Sequence, residues 1–370
     1  MMKVVYLTNI PSPYRINFFN ELSKFCDLTV LFERTDARNR NNDWLKPQNI
    51  EFKPKFLDGI KVGNDSALCF EILKFIKHNK FDLIIIGGYS TPTGMLLIQY
   101  LHAKKIPFML NCDGGIIKND NKIKYCIKKY FISKASYYLS TGNKTNEYLI
   151  HYGANKDKIF DFPFSSVSKK DILKSKNTEE IERLKKKLQI EEKKVVISVG
   201  QFIYRKGYDI LLKAATKLDS DIGIYIVGGE PTEEYLHLVK ELDLKNVHFV
   251  GFKTKEELSK YYYISDVFAF PTREDIWGLV INEAMANGLP IVTTNKCIAG
   301  VELVANGENG YIIESENQGQ LAEAINKIIQ DEKLKQKMFN NNIEKIQKYT
   351  IEEMAKRHIE IFNKILKENK

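Results

Sequence analysis

Short apolar runs alternate with amphipathic segments along most of the chain, and this alternation predicts its elements. Val, Ile, Leu and aromatic residues cluster at positions 4–7, 28–32, 83–86, 108–111 and 137–140, each the length of a buried strand. Between these runs, apolar residues recur at helical spacing over 16–24, 67–77, 94–104 and 123–133. Strands that are apolar throughout and separated by helices predict a parallel sheet covered on both faces. The pattern then restarts. Strands are expected at 195–199, 222–227, 247–252, 265–270 and 291–293, with helices at 255–262 and 279–289. A polar, charged stretch at 165–194, with a short helix around 181–188, reads as a linker between the two series. The tail opens on a capping box, Thr350 with Glu353, and carries an apolar stripe of Ile351, Met354, Ile361, Phe362 and Ile365. No repeat of solenoid length is present. A chain of 370 residues accommodates two cores. The expected division is an α/β domain at 1–166, a linker at 167–194 and a second α/β domain at 195–349, with the closing helix, 350–370, returning to the first.

Parallel sheets bind ligands beyond the carboxyl ends of their strands, so the chemistry should sit in the loops that follow them. The richest such loop lies in PTREDIWGLVINEAMANGLP, residues 271–290. Gly278 allows close backbone approach where a strand hands over to a helix, and the helix N-terminus behind it is a seat for a phosphate. Asp275 lies in front of that seat. Glu283, about one turn in, is suited to grip two vicinal hydroxyls, although one Glu on a helix is ordinarily a solvated face. Earlier, Gly200 ends a strand and the Arg205-Lys206-Gly207 turn feeds a helix, although a pair of exposed cations before a Gly is ordinarily a solvated turn. In the first half, Pro13 starts a helix and places Tyr14 and Arg15 at a strand end. Gly87 and Gly88 precede a hydroxyl-rich loop, and Cys112 and Asp113 end another strand. A loop Asp such as Asp113 also commonly makes a local Asx turn. No Walker-type loop is present.

Charge refines this picture. The net +9 is confined to the first half, where residues 1–170 carry +11 and residues 171–370 carry −2. Its densest part, 121–138, interleaves Lys122, Lys124, Lys128, Lys129 and Lys134 with Ile123, Ile127, Tyr130 and Phe131. Two readings stand: a basic amphipathic helix on an anionic membrane surface, or a solvated helix whose apolar face enters the core. Nucleic acid is not the expected partner, since no recognised nucleic-acid module accompanies the charge. Five cysteines without paired spacing, Cys26, Cys69, Cys112, Cys126 and Cys297, argue against a disulfide framework or structural zinc. With no signal-peptide pattern and no bilayer-length apolar stretch, the expected location is cytoplasmic, and peripheral on the inner face of the membrane if the basic helix meets lipid.

The 271–290 stretch resembles the signature of GT4-family retaining glycosyltransferases of the GT-B fold: a Glu, seven residues and a second Glu, around a Gly-Leu turn and followed by Glu-Ala-Met-Ala, Gly and Pro. Glu283 to Ala286, Gly278, Leu279, Gly288 and Pro290 match, while the first acidic position is Asp275 with Glu274 beside it. Either Asp275 or Glu274 fills that position; spacing favours Asp275. The resemblance implies two Rossmann-like domains facing across a cleft, a donor-binding C-terminal domain and an acceptor-binding N-terminal one. It implies sugar transfer from a UDP- or GDP-sugar to a glycan or polyprenol-linked glycan acceptor in bacterial cell-surface polysaccharide assembly, with no cofactor and no metal. Alternatives are a nucleotide-sugar epimerase of the same fold and a non-catalytic sugar-nucleotide-binding protein. Donor contacts are expected from Gly200, Gln201, Arg205, Lys206, Phe252, Glu274, Asp275, Gly278, Leu279 and Glu283, with Gln201 where the family carries an Arg and Arg205 as its substitute. Phe252 would border the base; a buried core Phe is the other reading. Acceptor contacts are expected from Tyr14, Arg15 and Asp113, and catalytic roles from Asp275, Lys206 and Asp113. The family's Gly-rich first loop is missing, so Arg15 is expected to compensate near the donor phosphates.

Overall fold

The computed structural model describes residues 1–36 and 49–368. The chain forms two compact units, one of Met1–Ser166 with Tyr349–Lys370 and one of Val167–Lys348.

In the first unit the strands are β1 (Lys3–Thr8), β2 (Asp27–Phe32), β3 (Lys53–Phe56), β4 (Ile60–Val62), β5 (Ser66–Leu68), β6 (Leu83–Ile86), β7 (Met109–Cys112), β8 (Tyr137–Ser140) and β9 (Ile159–Asp161). Seven of them make one sheet in the order β3-β2-β1-β6-β7-β8-β9, parallel throughout. β4 and β5 form a separate antiparallel hairpin. The inner strands have the continuous apolar runs that two covered faces demand, and Leu83–Ile86 is buried at every position. Each Val, Leu or Ile so buried contributes roughly 1.5–3 kcal/mol relative to exposure. The C-terminal helix, Ile351–Glu368, buries Ile351, Met354, Ile361, Phe362 and Ile365 and packs on the first helix, Pro13–Ser23. The Thr350 hydroxyl accepts from Glu353 N at 3.3 Å.

The second unit holds β10 (Lys194–Val199), β11 (Ile222–Val227), β12 (Val247–Val250), β13 (Val267–Phe270), β14 (Ile291–Thr294) and β15 (Gly310–Ile313). They form one parallel sheet ordered β12-β11-β10-β13-β14-β15. Strand order reverses between β10 and β13. A ligand crevice is expected where the loops after these two strands diverge, and they are the loops that begin at Gly200 and at Pro271.

Two expectations are corrected. Residues 67 and 68, read as the start of a helix over 67–77, lie in strand β5, and the helix is confined to Glu71–His78. Residues 167–194, read as a linker, belong to the second unit. There the helix Thr178–Leu188 packs on Lys255–Ile264, and Lys176 Nζ donates to Ser265 O at 2.5 Å. The basic helix Lys122–Ile132 turns Tyr125, Phe131 and Ile132 to the core and leaves Ile123 74% exposed and Ile127 46%.

Candidate active site

The β10 loop brings the Lys206 ammonium back over the Phe270 ring at the end of β13. Gly200 closes β10 with its N–H on Val227 O at 2.9 Å, and the chain winds through a short 3-10 turn, Tyr204–Lys206, into the helix Tyr208–Ala215. Gly207 between them has φ +69°, and a Cβ there would lie 2.1 Å from Pro271 O, so no side chain fits. This contact seats the β10 loop directly on the β13 loop.

Asp275 is the centre of the second loop. Its N–H donates to Lys296 O at 2.9 Å and its carbonyl accepts from Ile298 N at 3.1 Å, which fixes the backbone against the segment after β14. Only 8% exposed, its Oδ2 accepts from Lys206 Nζ at 2.7 Å and from Arg205 Nη1 at 3.1 Å. Lys206 is also 8% exposed and its ammonium sits 4.6 Å above the Phe270 ring. Burial opposes the charge on Asp275, yet the Lys206 ammonium and the Arg205 guanidinium outweigh it and hold the carboxyl below its usual range. The Glu274 carbonyl accepts from Arg205 Nη1 at 3.0 Å. The carboxylate of Asp275, one of the two acids expected at the first position, converges with Lys206.

Three residues on, Gly278 caps the helix Leu279–Ala286 with φ +97°. A Cβ would lie 2.9 Å from the Cys297 sulfur, so the position is closed to other residues by space and by conformation. The first amides of the helix have no intrahelical acceptor and carry the positive end of its dipole. Glu283 is half-buried, and its Oε2 accepts from the Tyr262 hydroxyl at 3.3 Å. Burial, then the neighbouring Glu283 carboxylate, pushes the Tyr262 hydroxyl well above its usual range, so it remains a donor. Gln201 is exposed and Leu279 half-buried. Phe252, in the loop after β12, is 39% exposed, so it is not a core Phe.

Sequence reasoning missed Arg273 and Trp277. Arg273 binds Asp209, Glu316 and the Tyr204 carbonyl. Trp277 is 2% exposed and its indole N–H donates to Asn282 Oδ1 at 2.9 Å, inside the helix that begins at Gly278. An aromatic two residues after the Asp was the available signal for Trp277. None marked Arg273, whose partner Glu316 is 43 residues away.

In the first unit, Arg15 and Asp113 come together as an ion pair. Asn111 Nδ2 donates to the other Asp113 oxygen at 2.7 Å, and Arg15 Nη1 donates to Tyr6 OH at 3.3 Å. Tyr14 packs edge-on against Phe164, and its ring lies 5.5 Å from the Arg15 guanidinium. Arg15 is 4% exposed and its charge is paired with Asp113. All five cysteines are free, and burial pushes Cys112 and Cys297 up to about 12. Among the described residues no helix is long and apolar enough to cross a membrane.

Residues 180–345 match the family of glycosyl transferases group 1. A Klebsiella pneumoniae protein described as an uncharacterized 41.2 kDa protein in the cps region is 24% identical over 281 residues, covering 72% of this chain and 75% of that one. The Campylobacter jejuni N,N'-diacetylbacillosaminyl-diphospho-undecaprenol alpha-1,3-N-acetylgalactosaminyltransferase is 23% identical over 299 residues, covering 79% and 76%. In structure, the chain is similar to Anabaena HepE in complex with UDP, with a TM-score of 0.80 at 17% identity over 98% of this chain and 100% of that one. The chain therefore carries a glycosyltransferase group 1 domain, and its two parallel-sheet units have the GT-B fold.

Proposed function

We propose that the protein is a retaining, GT4-type hexosyltransferase that takes its sugar from a nucleotide-diphosphate sugar, UDP- or GDP-linked. The observation that carries this reading is the convergence of Lys206 and Arg205 on Asp275 at the sheet's switch point, beside the helix that starts at Gly278. As the sugar leaves, negative charge grows on the diphosphate and positive charge on the anomeric carbon. Cations and helix amides already in place favour that state over the ground state. Lys206, Arg205 and the first amides after Gly278 are assigned to the diphosphate, Glu283 to the ribose hydroxyls and Asp275 to the donor sugar. Neutralisation by these groups leaves no task for a metal. Gly200, Gln201 and Phe252 are assigned to the donor side as well.

The first unit is assigned to the acceptor, with Asp113, Arg15 and Tyr14 at its strand ends. The proposed acceptor is a glycan or polyprenol-linked glycan of bacterial surface polysaccharide, which the Campylobacter relative's name and the Klebsiella relative's cps region support. The proposed location is the cytoplasm, peripheral on the inner membrane face. There Ile123, Ile127 and Tyr130 would enter the lipid interface and the surrounding lysines would meet anionic head groups.

The experiment is incubation of the protein with nucleotide sugars and a bacterial membrane extract. Release of free nucleoside diphosphate that depends on the extract and is lost in Glu283→Ala supports the reading. Conversion of the donor alone to a different nucleotide sugar would instead identify an epimerase, and binding without turnover a non-catalytic protein.

A further inference from the structure

We propose that Arg273 is the positioning residue that holds the Tyr204–Lys206 turn against the loop carrying Asp275, keeping both cations aimed at the donor diphosphate. The inference rests on the donor assignment above. All five N–H donors of this guanidinium have acceptors. Nε and one Nη2 hydrogen go to the Glu316 carboxylate, and Nη1 and Nη2 grip Asp209 as a fork at 2.8 and 2.7 Å. The remaining Nη1 hydrogen goes to Tyr204 O at 2.8 Å. The guanidinium lies 3.9 Å over the Tyr204 ring, and the Arg273 main-chain N–H donates to Arg205 O at 2.8 Å.

Arg273 thus ties down the residue before the two cations, the backbone of the first cation and the first turn of the helix after them. Its own chain reaches Asp275 two residues later. A diphosphate arriving at Lys206 must compete with Asp275 for the ammonium. Only side-chain torsions need change if the turn's backbone is already fixed, which is the saving that preorganisation provides. The side chain is 12% exposed, and the fork geometry is one that a lysine cannot reproduce.

The test compares nucleoside diphosphate with monophosphate, because their affinity ratio isolates the terminal phosphate. UDP, UMP, GDP and GMP are titrated calorimetrically against the wild-type chain, Lys206→Ala, Arg273→Ala, Arg273→Lys and the Lys206→Ala/Arg273→Ala double variant, with Tm recorded for each. Wild type is expected to prefer one diphosphate over its monophosphate by about tenfold or more, and Arg273→Ala to lose most of that preference. Arg273→Lys should fall between, and the losses in the double variant should fall short of multiplying, because Arg273 acts in part through Lys206 and in part through Arg205. A purely structural Arg273 would lower Tm and weaken both nucleotides alike; a preserved ratio in Arg273→Ala, or multiplying losses in the double variant, overturns the proposal. Should Arg273→Ala fail to fold, Asp209→Asn and Glu316→Gln each remove one partner, and an unchanged ratio in both has the same meaning. If wild type binds none of the four nucleotides, the donor assignment itself falls and the positioning role with it.

Discussion

Lys206 and Asp275 stand 69 residues apart in sequence, yet the ammonium lies 2.7 Å from the carboxylate with both side chains nine-tenths buried. Removing one partner of such a pair leaves the other charge without compensation. Lys206→Met should therefore destabilise the second unit by about 3 kcal/mol, less whatever the half-exposed Arg205 recovers. Lys206→Met/Asp275→Leu should recover part of that loss. Denaturant titration checks this; a single variant as stable as wild type would remove the buried pair from the account.

We assign Asp275 to the first signature position. Asp275→Asn keeps the shape but removes the charge, and should lower transfer at least about a hundredfold, a loss typical of a group aimed at a developing charge. Glu274→Gln should cost less than about threefold, since it is the Asp275 carboxylate that accepts from Lys206 and Arg205. Parallel kinetics of the two variants would show a reversed order if Glu274 held the role.

Glu33 provides a pH prediction in the first unit. It is 3% exposed, accepts from Thr91 Oγ1 at 2.6 Å and from Ala67 N at 3.0 Å, and burial pushes its carboxyl up to about 7. A raised folded-state value means that the folded chain keeps this proton where the unfolded chain has lost it. The stability it supports is complete below about 4.3 and is lost as pH rises through about 7. Glu33→Gln, which stays neutral, should gain on wild type by on the order of 2 kcal/mol between pH 5 and pH 8. Thermal melts across that range check it, and a constant difference between the two proteins contradicts it.

Ile123 and Ile127 are exposed beside Lys122, Lys124 and Lys128. Ile123→Ser/Ile127→Ser should weaken binding to vesicles containing anionic lipid about tenfold or more, since each side chain withdrawn from the interface forfeits part of about 1.5–3 kcal/mol. Its Tm should stay within a few degrees of wild type. Sedimentation with vesicles measures the first, and equal binding by both proteins would refute the interface.

Much of this was readable from residues alone, for physical reasons that differ by element. Leu83–Ile86 and Ile222–Val227 are apolar at almost every position because both faces of a parallel strand are covered, so their limits were visible to the residue. Edge strand Lys53–Phe56 was not, because it is largely exposed and carries Pro54, which only an edge tolerates. The short hairpin Ile60–Val62 and Ser66–Leu68 was hidden because Ala67 also fits the helical period of the residues after it. At the site, it was the resemblance to the GT4 signature that singled out Asp275, Lys206 and Glu283, since a lone Glu on a helix and two cations in a turn are by themselves ordinary solvated features. Arg273 depends on Asp209 and Glu316 from two other segments, which no local pattern encodes. Periodicity likewise identified the stripe of Ile123 and Ile127 without saying whether it faces core or solvent.

The most direct measurement is a crystal structure of the protein with UDP or GDP bound. The account predicts the diphosphate within hydrogen-bond reach of Lys206 and of the amides that follow Gly278, with the ribose hydroxyls on Glu283. A nucleotide seated elsewhere on the chain, with Lys206 still paired to Asp275 and Glu283 untouched, would contradict it.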